Sequence, residues 1–234
     1  MLHQMPAVAF LVAMPIWSSA QETTASSPKI ISPLQPLLNA LDRANTSGSV
    51  EFAARCDGGT HWTFPTLRSP TNTGGSLLQV VREMFADDSA MHVTQDAHGM
   101  VRMIENGVQP DLLDVRIRHI WFESKGVPLQ GDAFSPTTAL TEILRSPEVA
   151  AFMKAHKMDL AIRGNGVVVN QPFLDGSPHI AESMTDLSLS QALDRVLKTF
   201  PGIWVYEECP STDGKSQSVF LLFFSAKHPL LVEK

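Results

Sequence analysis

This 234-residue sequence predicts an α+β fold of repeated helix–strand–strand units, packed as small mixed sheets with helices on one face. Three observations carry that expectation. Segments with apolar residues at helical spacing alternate along the chain with segments of two-residue alternation. The tetrapeptide ALDR occurs at Ala40–Arg43 and again at Ala192–Arg195. Each copy is followed about thirteen residues later by one of the only two cysteines, Cys56 and Cys209.

The elements follow in order. Leu34, Leu37, Leu38 and Leu41 recur at helical spacing. GSVEFAARC then alternates, with Val50, Phe52 and Ala54 on one face of a strand. After a Gly/Pro/Thr-rich stretch, Leu77, Val80, Val81 and Met84 mark a second helix, and AMHVTQDAHGMVRMIE reads as a hairpin. LLDVRIRHIWFE is a strand, with Val115, Ile117, His119 and Trp121 expected on one face and Arg116, Arg118 and Ile120 on the other.

The second half repeats the theme. SPTTALTEILRSPEVAAFMKAHK reads as two short helices broken at Pro147, with Ser135 and Ser146 placed as N-caps before proline. MDLAIRGNGVVVNQ suggests strands around a Gly-Asn-Gly turn. A strand then leads into a helix over about Ser188 to Thr199, capped by Ser188 or Ser190 and ended by Phe200-Pro-Gly. IWVYEEC and SVFLLFFSA are two strands joined by a turn, and VFLLFF, apolar on both faces, reads as a central strand. Aligned on ALDR, both copies run helix, glycine turn, strand, cysteine, glycine, which is the expectation of a repeated unit.

The first twenty residues contain no Lys, Arg, Asp or Glu. An apolar stretch from Pro6 to Trp17 is followed by the small residues Ser18-Ser19-Ala20, the pattern of a secretory signal peptide over 1–20. The competing reading is an apolar N-terminal helix buried in the core. A polar leader over 21–33 would precede an N-terminal lobe over 34–126 and a C-terminal lobe over 127–234. No later apolar run reaches the ~20 residues needed to span a bilayer, so no stable membrane insertion is expected after cleavage. Net charge is −6 and no basic cluster exceeds two adjacent residues, which argues against nucleic acid as a partner. In an exported chain, two cysteines suggest one disulfide, Cys56 to Cys209. If the units are instead strung out as beads, both thiols stay free.

The sequence carries no G-x-S-x-G or H-E-x-x-H motif. His92 and His98 flank Asp96, but this spacing fits no standard zinc pattern. His61 and Trp62 in the Gly/Thr/Pro loop, together with His119, are the candidates for a small pocket. Glu207 and Glu208 point to opposite faces of a strand and form no acid/base pair together. No catalytic residue, metal site or cofactor is expected.

Met184 to Phe224, MTDLSLSQALDRVLKTFPGIWVYEECPSTDGKSQSVFLLFF, resembles the small secretin and TonB short N-terminal module of bacterial envelope proteins. That family's pattern runs from a polar strand into (S/T)L-x-x-A-L, a helix ending near a glycine, an aromatic strand and a last apolar strand. Ser188-Leu189 and Ala192-Leu193 sit on the helix signature, Gly202-Ile203 at the helix exit, and Trp204, Val205 and Tyr206 on the aromatic strand. Pro201 and Cys209 depart from the pattern. The stretch from Gly74 to Ile104 fits the same template more loosely. The resemblance implies a periplasmic or secreted interaction module, non-catalytic, with an envelope protein as partner. The alternative is an exported small-ligand binder or enzyme whose site is assembled from distant residues.

Overall fold

The structure, a computed structural model, describes residues 33–53, 64–71, 74–108, 111–122, 136–160, 180, 183–210 and 216–225. All belong to one compact unit, Ser32–Lys234. The signal segment 1–20, Cys56, His61, Trp62, Ser135 and the Gly-Asn-Gly turn lie outside the described residues.

The protein is a mixed α/β fold. Its described elements are α1 (Gln35–Arg43), β1 (Gly48–Ala53), α2 (Leu77–Met84), β2 (Met91–Gln95), β3 (Val101–Glu105), β4 (Arg116–Trp121), α3 (Pro136–Leu144), α4 (Pro147–Ala155), β5 (Met158–Leu160), β6 (Ser183–Ser188), α5 (Leu189–Thr199), β7 (Gly202–Pro210) and β8 (Gln217–Ser225). Six strands form one mixed sheet in the order β2-β3-β1-β7-β8-β5, and β4 pairs antiparallel with β6 in a second sheet. The C-terminal span thus supplies β7, β8 and β5 to the sheet that the N-terminal span begins.

Both ALDR copies are helical and both helices feed a strand, α1 into β1 and α5 into β7. These two strands lie side by side and parallel, with Gly48 opposite Ile203 and Ala53 opposite Glu208. Gly48 is required here by close packing, since a Cβ at this position would lie 2.5 Å from the Val101 carbonyl oxygen on β3.

The helix starts differ in their chemistry. Ser76 before α2 and Ser188 before α5 each accept from the backbone N–H three residues on, while Gln79 and Gln191 reach back in a reciprocal capping box. α1 begins at Leu34 without a side-chain cap and relies on Pro36 in its first turn. Ser146 stands at the N-cap of α4 as expected, but its hydroxyl makes no cap bond.

Two apolar clusters lie on opposite faces of the six-stranded sheet. On one, Leu37, Leu38 and Leu41 of α1 and Val80, Val81 and Met84 of α2 pack on Val50, Phe52, Val101, Met103, Ile203 and Val205. On the other, Trp204, Tyr206, Val219 and Leu221 meet α3, α4 and α5, and these helices also meet Ile117, Ile120 and Met184 of the small sheet. Helices therefore occupy both faces of the sheet, where one was expected. The reason is visible in β7, whose consecutive residues Ile203 to Tyr206 are all fully buried. A strand apolar on both sides needs cover on both sides. β8, whose apolar run predicts a central strand, is an interior strand, between β7 and the edge strand β5, and Leu222, Phe223 and Phe224 are only partly buried.

The alternation expected along β4 does not hold. Ile117 and Ile120 are both buried, and Trp121 is exposed. The β4–β6 ladder skips the Arg118–Asp186 position, and Asp186 has φ 55°, a left-handed backbone that breaks the two-residue rhythm.

Candidate functional site

The register of three neighbouring strands sets the site. Ser49 of β1 lies between Arg102 of β3 and Trp204 of β7, and one step along the same face Glu51 lies between Ile104 and Tyr206. α5 buries Leu189, Ala192, Leu193, Val196 and Leu197 against the core, which turns Asp194 toward this polar row.

Asp194 is the node. Its Oδ1 accepts from Arg102 Nη1 at 2.9 Å and from Trp204 Nε1 at 2.9 Å, and its Oδ2 accepts from Arg102 Nη2 at 2.5 Å. Arg102 Nη2 also donates to Asp96 Oδ2 at 3.0 Å, and the guanidinium lies 5.9 Å from the centre of the Trp204 ring. The other Asp96 oxygen accepts the backbone N–H groups of His98 and Met100, which holds the β2–β3 turn. One guanidinium thus ties the hairpin turn to α5 through two carboxylates. Burial pulls the Arg102 pKa down, but its bonds to Asp194 and Asp96 outweigh that and hold it above the ordinary value. Burial likewise raises Asp96, and the N–H groups of Met100 and His98 together with Arg102 hold it below the usual range.

Beside this clasp is a cavity of about 570 Å³. Its floor is Glu51, Arg102 and Ile104; Ser190, Gln191, Asp194, Arg195 and Lys198 of α5 form one wall. Asp96, His98 and Met100 of the turn, with Leu113, Asp114 and Leu187, complete it. Glu51 is 6% exposed, and Ser49 Oγ donates to its Oε1 at 3.2 Å. Burial pushes its pKa up to about 7, against the smaller opposing pull of Ser49 and Arg102. Next to it Tyr206 donates to Glu208 Oε1 at 2.5 Å, and burial followed by that carboxylate pushes the phenol up. Chemically the cavity offers a buried carboxyl poised near neutrality, cations on one wall and apolar sides. No His/Cys/Asp/Glu group able to hold a metal ion occurs among the described residues.

The sequence candidates fall elsewhere. His119 sits on β4, outside the cavity lining, its ring 4.2 Å from that of Trp121 and its Nε2 buried without a hydrogen-bond partner among the described residues. His61 and Trp62 lie outside the described residues, as does Cys56. Cys209 at the end of β7 is disulfide-bonded. His92 is exposed on β2 and His98 lines the cavity; Asp96 between them serves Arg102 instead. Sequence reasoning missed Glu51, Arg102 and Asp194. The available signal was a charge set between apolar residues on a strand, Val-Glu-Phe and Val-Arg-Met, which reads equally well as a solvated face.

No helix among the described residues is long and apolar enough to cross a membrane. Compared with known protein families, with curated proteins and with solved structures, the chain matches none.

Proposed function

We propose that this chain is an exported, non-catalytic protein of the bacterial cell envelope that makes protein–protein contacts through modules like the short N-terminal module of secretins and TonB receptors. The observation that carries this reading is Trp121. It is 60% exposed, the one exposed large apolar side chain among the described residues, and its ring lies tilted against that of His119. It stands on β4, the partner of β6, and β6 leads into the α5-β7-β8 succession that the resemblance calls for over Met184–Phe224. Arg116 and Arg118 are exposed on the same strand. Tryptophan and arginine are the side chains that most often anchor protein interfaces.

A photo-crosslinking residue placed at Trp121, in the chain produced in its native host, should give one discrete protein adduct in the exported fraction. The same residue at exposed Asp42 should give none. Equal adducts from both positions, or recovery only in the cytoplasm, would count against the proposal.

A second reading, a small-ligand binder, is favoured by the cavity at Glu51.

A further inference from the structure

The helix layer on the Glu51 side covers β7 and β8 but stops short of β3, and the cavity lies where it stops. Its volume of about 570 Å³ falls in the ~300–1,000 Å³ range of small-ligand sites. Charge is distributed unevenly across it. Glu51 at the floor makes no ion pair among the described residues, because Arg102 beside it is committed to Asp194 and Asp96. Across the cavity, α5 presents Arg195 and Lys198 three residues apart, both exposed and neither in an ion pair among the described residues. Between these poles lie Met100, Ile104, Leu113 and Leu187. A purely anionic ligand would meet the buried acid, and a purely cationic one would meet the two cations of α5. A ligand with a positive end inward and a negative end outward satisfies both.

We propose that this cavity binds an apolar zwitterion of amino-acid or dipeptide size, its ammonium on Glu51 and its carboxylate on Arg195 and Lys198. The proposal rests on the ligand-binder reading and names its ligand class. Binding has a proton signature. The groups around Glu51 are Ser49 and Arg102, which lower its pKa, and Asp194 and Asp114, which raise it, with the Tyr206 phenol beside it remaining protonated. An arriving ammonium favours the carboxylate, so complex formation expels a proton near neutrality, and affinity rises with pH as Glu51 ionises through about 7.

The test is titration calorimetry of the full-length chain with leucine and leucyl-leucine, and with their N-acetyl forms, at about pH 5.5 and about pH 7.5. Saturable binding is expected, stronger at the higher pH. It should weaken about tenfold or more on N-acetylation, in Glu51→Gln, and in the exposed pair Arg195→Ala/Lys198→Ala, whose folding is checked by circular dichroism. Absence of saturable binding by any probe overturns the ligand-site reading and the proposal together. Binding that N-acetylation and both variants leave within about twofold overturns the zwitterion assignment while a ligand site stands.

Discussion

The two ALDR tetrapeptides have the same letters and different work. In α1, Ala40 and Leu41 are buried, and Asp42 and Arg43 point into solvent. In α5, Ala192 and Leu193 are buried in the same way, but Asp194 holds Arg102 and Trp204, and Arg195 lines the cavity. The apolar pair behaves alike because an amphipathic helix buries one stripe wherever it docks. The charged pair differs because it depends on what the sheet presents. Under α5 the facing row is Arg102, Ser49 and Trp204. Under α1 it is Val50, Phe52, Ile203 and Val205.

The strongest way to test the pairing of the two units is at their ends. β1 and β7 run parallel with Ala53 opposite Glu208, so the last described residue of β1, three before Cys56 in sequence, lies at the end of the sheet where Cys209 stands. Non-reducing peptide mapping is expected to recover a Cys56–Cys209 peptide. Cys209→Ser should then cost up to about 5 kcal/mol in urea unfolding, the chain-entropy value for a closed loop of this length. Cross-linked chains, or two free thiols, would break the pairing.

Next in size is the contrast between the aspartates. Asp194→Ala leaves Arg102, whose side chain is only 17% exposed, with one carboxylate and frees the Trp204 N–H. A loss of about 3 kcal/mol is expected, against less than about 0.5 kcal/mol for Asp42→Ala. Equal effects in denaturant titration would mean that the two copies are not differentiated.

Glu51 adds a pH axis. Its folded pKa of about 7 stands above the ordinary 4.5, so the fold holds that proton more tightly than the unfolded chain. This contribution is complete below about pH 4.5 and is lost as pH rises through about 7. Glu51→Gln removes the titration. Between pH 4 and pH 8 the variant should gain about 2–3 kcal/mol on the parent. Parallel stability profiles for the two proteins would show that Glu51 does not titrate as argued.

The smallest effect separates the helix starts. Ser188→Ala breaks the capping box of α5 and should cost about 1 kcal/mol, while Leu34→Ala, which also occupies an N-cap, removes core packing and no cap bond. Adding a Gln191→Ala change should therefore be less than additive with Ser188→Ala and additive with Leu34→Ala, which thermal unfolding of the double variants would read.

Much of this was legible in the residues. Helix over Leu77–Met84 and Leu189–Thr199, the β2–β3 hairpin, the break at Pro147 and the strand β8 all follow from apolar period, capping residues and proline, which are interactions within a few residues of each other. The strand β4 is legible but its faces are not, because the left-handed Asp186 that disrupts its ladder sits on another strand. The site was not legible. Period-two alternation in β1 places Ser49 and Glu51 on one face, but nothing in that pattern says the face will be covered.

By itself, then, the amino-acid order determined element type, element succession and the mixed α/β class, since each depends on local periodicity and local hydrogen-bonding choices. Tertiary structure alone decided that the Ser49–Glu51 face of β1 would be covered, that Asp194 and not Asp42 would meet an arginine, and that Glu51 would end in a cavity. Arg102 and Asp194 are 92 residues apart in the chain, and Ser47 and Gly202 are joined across 155. Contacts of that separation are set by which sheet edges and helix stripes find cover, and no pattern within one segment encodes the chemistry of the surface it will meet.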